Sequence, residues 1–434
     1  MSATKFLIFD QTIEELDIQA FSSYDSIGLR NTLRELVFEG GEVGPDIESQ
    51  KDRRSAFLTS CLSQVRRLQA TNPKDKIYGL YGIFYTVGLP LPTPSYEKSL
   101  SEVYEDATIS IIVHSRSLAV ICYAPSNNRS VELPSWVPDF QDDMVSFQLP
   151  RSGATEHSHI CHTRIPELAL GHGKIYLRGK MIGTVTHRPN CNFRRSGLPS
   201  SDYGDGLPVL TEEKYYFISD IQTLKKLIHT VMAFREWWRV VKTISAEMEV
   251  ESVSDLFYTL LTFDNAFDSP ISQDTFDIWL SVLQFPDTNI DLVDGQELVT
   301  LWKTADKKNE TFWTEELTNC AIIAASLLSG FSSRLISAKL FELTGELSSN
   351  MSDRALIQIH DRSLGVETFG TTFHTVKNGD AIVLLEGAEC PIALRKRRGG
   401  WELVGSAYVD GVMEGEAWSD EEGIVGELEN FTLY

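Results

Sequence analysis

A chain of 434 residues with 42% hydrophobic and 10% aromatic side chains has material for two or three domains with real cores, which sets it apart from disordered and fibrous sequences. Its 39 basic against 61 acidic residues leave a net charge of −22, so phosphate backbones and anionic lipid surfaces are disfavoured partners. The six cysteines (Cys61, Cys122, Cys161, Cys191, Cys320, Cys390) are scattered without a CxxC pair and read as reduced thiols. The apolar run at 6–9 is too short for a signal-peptide core, and "CAIIAASLLSGF" from Cys320 falls short of the roughly 20 residues of a bilayer span. The expectation is a soluble, cytoplasmic chain.

Residues 1–50 are mixed and acidic and form a lead-in. The region 51–145 reads as helical. Phe57, Cys61, Val65 and Leu68 recur at spacings of four and three and predict a helix that Pro73 stops. In "NPKDKIYGLYGI" (72–83) Asp75 is placed to cap, Lys74 and Lys76 to stay solvated, and Ile77, Tyr78 and Leu80 to pack inward; the run is helical or strand-like. Three prolines in "GLPLPTPSYEKS" exclude regular structure, after which Ser99 and Glu102 form a capping box. The helix this box opens carries Leu100, Val103, Tyr104, Ala107 and Ile111 on one face, and "SLAVICYA" is a second buried stretch. In "LPSWVPDF" (133–140) two prolines hold the backbone extended around Trp136.

The region 146–212 reads as strands and a surface loop: "KIYLRGKMIGTVTH" alternates around Gly179 as one or two strands, and "NCNFRRSGLPSSDYGDGLP" is loop by composition. From 213 to 350 the pattern is helical, first through Ile221, Leu224, Leu227, Ile228, Val231, Phe234, Trp237 and Trp238, then over 251–263, 271–283, 292–304 and 315–345. Of the "REWW" tryptophans, one belongs in the core and one in a domain interface. The region 351–434 is an antiparallel β module of "DRALIQIH", "TTFHTV", "DAIVLLEG", "PIALRKR" and "WELVGSAYV", the last two joined by a hairpin turn at "RRGG". The predicted fold class is α+β: mainly helical N-terminal and central parts, with a small antiparallel sheet or barrel formed by the 170–190 region and the C-terminal strands.

Chemistry-bearing motifs are sparse. "EHSHICH" sets His157, His159 and Cys161 on one strand face, with His162 beside them, but lacks the second ligand segment a zinc site takes, so no metal is expected. No GxSxG elbow, HExxH pair or Walker loop occurs, so no cofactor and no catalytic residue is assigned. "RKRRGG" reads as a solvated strand end, and "SDEEG" as one of many solvated acidic clusters.

Three stretches, in order, carry a resemblance: "ATNPKDKIYGLYGI" (70–83), "EVYEDATISII" (102–112) and "LPSWVPDF" (133–140). The set resembles the region that follows the signature domain of the fungal heterokaryon-incompatibility (HET-domain) family. Its marker positions here are Pro73, Asp75, Lys76, Tyr78, Leu80, Tyr104, Pro134, Trp136, Pro138 and Asp139. The tail, "GDAIVLLEGAECPIALRKRRGGWELVGSAYVDGVMEGEA" (379–417), is similar to the family's C-terminal stretch through Gly379, Asp380, Pro391, Leu394, Arg395, Gly405, Tyr408, Val409, Gly411, Met413, Gly415 and Glu416. All these positions are expected to be structural. The family's TIR-like core, marked by an "A-L-S-Y-x-W-G"-like stretch and linked to cell-death signalling and NAD cleavage, has no counterpart here, since no Trp-Gly pair occurs.

The resemblance implies a non-enzymatic regulatory or recognition protein of self/non-self recognition and cell-death control. It would act through protein contacts, full-length HET-domain relatives among them, with no nucleic acid. Two alternatives stay open: an NAD-cleaving or other hydrolytic effector with a divergent N-terminal half, and a truncated fragment of a full-length HET-domain protein.

Overall fold

The computed structural model describes residues 70–86, 91–115, 117–125, 133–142, 173–189, 221–247, 252–263, 273–284, 343–348, 350–361, 367–418 and 428–434, with Cys61, Val65, Arg66, Leu89 and Val250 as single positions. The lead-in 1–50, the "EHSHICH" and "NCNFRR" stretches, "SDEEG", the helix at 292–304 and most of that at 315–345 lie outside the described residues.

In the N-terminal layer the Asn72 side chain accepts from the Lys74 amide at 3.1 Å while its carbonyl accepts from the Asp75 amide at 2.9 Å. Pro73 follows with φ already helical and no N–H to leave orphaned. It leads into a helical element, after Ala70, Thr71 and Asn72 have left the helical conformation that Cys61 and Val65 hold. Two short helices result, α1 (Asp75–Tyr78) and α2 (Tyr81–Thr86). Asp75 is the first helical residue, not the cap; its carboxylate accepts from the Tyr96 hydroxyl at 2.6 Å. Nor does Lys76 stay solvated, because its long stem carries the ammonium to the carbonyls of Arg66 and Phe140, both at 2.9 Å.

Helix α3 (Leu100–Ser115) opens on the capping box: Glu102 accepts from the Ser99 amide at 2.7 Å, and the Ser99 hydroxyl accepts from the Glu102 amide at 3.2 Å. Val103, Tyr104, Ala107 and Ile111 are buried, as the spacing predicts, Leu100 is half-buried, and Ile112 is buried beside them. The Ser99 amide, and after it the Ser99 hydroxyl, hold the Glu102 carboxyl below its ordinary value. A folded value below the unfolded one means that this contribution is complete above the unfolded carboxylate range and is lost as pH falls through the folded value. A chemical-shift titration should place the Glu102 midpoint below 4.5, and Ser99→Ala should move it upward.

A 3-10 turn, Ala119–Tyr123, follows, and then the 133–140 stretch. The latter turns instead of extending, with the Val137 amide donating to the Pro134 carbonyl at 3.0 Å. Proline restricts the residue before it, here Leu133 and Val137, and so leaves Ser135 and Trp136 free to bend.

Seven strands build the second layer. β1 (Ile175–His187) is one long strand, antiparallel to β7 (Glu429–Leu433) along its first half and to β4 (Ala381–Leu385) at its centre. Its last residues pair with β2 (Arg354–Asp361). From β2 the sheet runs through β3 (Glu367–Phe373), β6 (Gly400–Val409) and β5 (Ile392–Arg397) back to β4 and β1, so six strands close a barrel. β7 bridges β1 and β6, the latter through a parallel contact at Leu433 and Trp401. Bulges at Ile182 and Val404 bend the wall.

Alternation sorts the side chains. Ala381, Val383 and Leu385 of β4 join the core shared with the helices, whereas Ile382 and Leu384 join Ile357, Ile359, Ala393, Val404 and Trp418 in the core of the other face. Gly179 lets β1 lie flush on β4, because a Cβ there would run into the Leu384 carbonyl oxygen. Gly179→Ala should lower stability by about 1–3 kcal/mol, read from the urea midpoint.

The central segment supplies α4 (Ile221–Glu247), α5 (Val253–Thr262) and α6 (Gln273–Val282). Trp237 is buried, and Trp238 packs half-buried on Phe257 of α5, ring centroids 5.2 Å apart. Phe234 and Phe276 flank Trp279, whose indole N–H donates to Thr344 at 2.9 Å. One continuous core joins these helices, the N-terminal layer and the barrel's helix-facing side. No described helix is long and apolar enough to cross a membrane.

Candidate functional site

Ile77, Leu80 and Phe84 are buried in the core; Tyr78, expected to pack inward, is only half-buried against it and lines one side with half-buried Tyr81 and exposed Tyr85 at helical spacing. Against this side lies the proline-rich stretch 91–97. Prolines supply carbonyls without amides, so such a segment has acceptors in excess. The tyrosines meet that need. Tyr78 donates to the Ser95 carbonyl at 2.7 Å and accepts from the Ser95 amide at 3.1 Å, Tyr81 donates to the Pro92 carbonyl at 2.9 Å, and Lys74 donates to the Tyr96 carbonyl at 2.7 Å. Tyr78 meets Tyr81 and Tyr96 edge-on, with centroids 5.4 and 5.3 Å apart.

The result is a tyrosine ledge whose outer members face water: Tyr85 is 86% and Tyr96 59% exposed. Burial, then the neighbouring Tyr78 and Asp106, push the Tyr81 phenol up to about 12. The hydrogen bond to Asp75 raises Tyr96. These phenols therefore stay protonated donors at neutral pH. Rigid aromatic rings with a polar tip, held by a scaffold, bind other surfaces well. Lys98, paired with Asp106 at 2.6 Å, adds charge at the edge.

The resemblance-bearing positions of the helical layer converge beneath this ledge. The Tyr104 hydroxyl donates to the Pro73 carbonyl at 3.1 Å, and its ring meets Phe140 edge-on at 4.9 Å. Lys76 ties the same knot through the Phe140 carbonyl, and Arg66 lies over the Phe140 ring at 5.9 Å while donating to the Tyr123 carbonyl. Asp139, fully buried, accepts from the Gln141 amide at 2.9 Å. Burial, followed by the charge of Asp139, raises the Tyr104 phenol. Trp136 donates to the Gly173 carbonyl at 3.1 Å; Leu80 and Pro138 are buried, and Pro134 is half-buried.

The tail positions gather in the barrel. Arg395 holds Asp380 with two bonds, 3.0 and 2.7 Å, and Asp380 also accepts from the Lys377 amide at 2.8 Å, bracing the turn that Gly379 completes at φ 90°. The Pro391 carbonyl accepts from Ala407 at 2.7 Å, Leu394 and Tyr408 are buried, and Gly405 packs against Phe373. The Val409 amide donates to the Met413 sulfur at 3.4 Å across a turn with Gly411 and Gly415 at positive φ, and Glu416 accepts from the Glu414 amide at 2.8 Å.

Sequence reasoning left Tyr85 and Tyr96 unnamed. The spacing of Tyr78, Tyr81 and Tyr85 signals a shared face once the run is taken as helix, but nothing local places Tyr96 beside Tyr78. Among the described residues no group of three or more His, Cys, Asp or Glu side chains is arranged to hold a metal ion.

Set against known protein families, curated proteins and solved structures, the chain matches none.

Proposed function

We propose that this chain is a recognition protein working through protein–protein contacts, in the setting that its resemblance to the post-core region of fungal HET-domain proteins implies: self/non-self recognition and control of cell death in the cytoplasm. Its partner is then a full-length HET-domain relative. The tyrosine ledge is the observation that supports this reading. Residues carrying the resemblance build its foundation, and its exposed rings are of the type that anchors protein interfaces.

The test is capture of HET-domain relatives from cells of the source organism by the purified chain, with and without Tyr85→Ala and Tyr96→Ala together. The double variant should lose affinity by at least roughly tenfold while losing no more than about 1 kcal/mol of stability, since both rings are largely solvated and Tyr96 gives up only an exposed hydrogen bond and one ring contact. Capture of no such relative, or equal capture by the variant, overturns the proposal. In the same preparation the pure chain should leave NAD unconsumed; steady turnover would favour the effector-enzyme alternative.

A further inference from the structure

Two sulfurs meet where the helical layer touches the barrel. Cys122 on the 3-10 turn and Cys390 in the loop between β4 and β5 are both buried, with Sγ atoms 3.9 Å apart. Backbone and side chain fix the contact: the Leu118 amide donates to the Gly387 carbonyl at 2.6 Å, and the Ser117 hydroxyl to Glu389 at 3.3 Å.

Arg354, at the start of β2, acts electrostatically on both sulfurs and is only 1% exposed. Its guanidinium has no carboxylate partner among the described residues. The terminal nitrogens reach the Thr371 carbonyl and hydroxyl at 3.4 Å and Ser406 at 3.5 Å, Nε has no hydrogen-bond partner, and the Phe263 ring lies 4.7 Å away. A cation so buried is costly without an anion nearby. The dithiol can supply one. Burial lowers the guanidinium to about 10, against an opposing pull from Cys390 and Cys122. The Cys122 thiol is pushed well above its ordinary value, first by its hydrogen bond to Cys390 and then by burial. The two thiols share one contact in which either sulfur can donate, and both act on the buried Arg354 guanidinium. An adjacent cation is the setting that favours a thiolate nucleophile.

We propose that Cys122 and Cys390 are a redox-active dithiol that hydrogen peroxide, small enough to reach a buried site, converts to a disulfide joining the helical layer to the barrel. One of the two sulfurs, losing its proton, attacks one peroxide oxygen, forming S–O and breaking O–O; the departing hydroxide takes up that proton and leaves as water. The other sulfur then attacks the sulfenic sulfur, forming S–S and breaking S–O, and its proton leaves with the hydroxide as a second water. Two thiols are oxidised by two electrons and one peroxide is reduced to two waters.

The experiment is differential alkylation of the full chain after graded hydrogen peroxide, followed by denaturation and peptide mapping. Cys122 and Cys390 should lose alkylation together and reappear as one cross-linked peptide pair that a dithiol reductant reverses. Cys122→Ser should instead stop at a Cys390 sulfenic acid trapped by a carbon nucleophile, and Arg354→Met should slow the reaction about tenfold. Retention of both alkylation sites in the parent while other cysteines oxidise, or over-oxidation of Cys390 without the cross-link, overturns the proposal, whether or not the variants fold.

Discussion

Replacing Asp380 with alanine is expected to remove about 3–5 kcal/mol of stability, among the largest effects of any single change in the barrel. Its carboxylate is nearly enclosed and takes both prongs of the Arg395 guanidinium, itself only 13% exposed, so salt screens this pair weakly. The same oxygens cap the Lys377 amide, and the neighbouring backbone exchanges bonds with Val185 of β1. Loss of the carboxylate therefore strands a cation, leaves an amide without its acceptor and loosens the turn that feeds β4. Asp380→Asn keeps one acceptor and should cost roughly half as much. The check is equilibrium denaturation of Asp380→Ala, Arg395→Met and the double variant. The double variant should be clearly more stable than the sum of the single losses, because removing the second partner relieves the stranded charge. Strict additivity would mean that the pair contributes nothing of its own.

Trp136→Ala should cost a similar amount, about 3–5 kcal/mol, for a different reason. The indole is fully buried in the core that joins the two layers, so truncation leaves a cavity the surrounding side chains can fill only in part. Its N–H also reaches the Gly173 carbonyl, just before β1, and so couples the 133–140 turn to the barrel's first strand. Trp136→Phe separates these contributions: it retains most of the volume and loses the hydrogen bond, and should cost about 1–3 kcal/mol. Denaturation midpoints of the three proteins decide the matter. If alanine and phenylalanine destabilise equally, the hydrogen bond rather than the volume carries the effect.

What was legible in the residues is what short-range periodicity encodes. The buried face of α3, the capping box and the C-terminal strands other than β7 follow from spacings of three, four and two, because those patterns place neighbours in the chain on one surface, although β3 runs from Glu367 to Phe373 and the second half of "TTFHTV" is a turn. That Pro73 also leads into α1 was not legible, because proline marks helix starts as well as stops and only the preceding Asn72 signals the start. Lys76 was misread because its two carbonyl partners lie 10 and 64 positions away. β7 is short and half polar, "ENFTL", and becomes a strand only through the pairing offered by β1. The ledge divides the same way. Its helical tyrosines are a local pattern, whereas Tyr96 joins them through a proline-rich segment whose path is set by partners elsewhere.

The pairing of Ile175 with Leu433 bears on how the protein is made. On the ribosome β1 emerges with none of its three partners present, and its apolar edge must wait while the central helices and the remaining strands are synthesised. A loop this long is entropically slow to close, and an unpaired strand edge is open to other chains in the interval. The central helices, by contrast, are contiguous in the chain and can pack as soon as they appear. Vectorial synthesis thus favours a helical intermediate carrying an incomplete barrel, whose six-strand ring can close only after β6 has left the exit tunnel and to which β7 is added last.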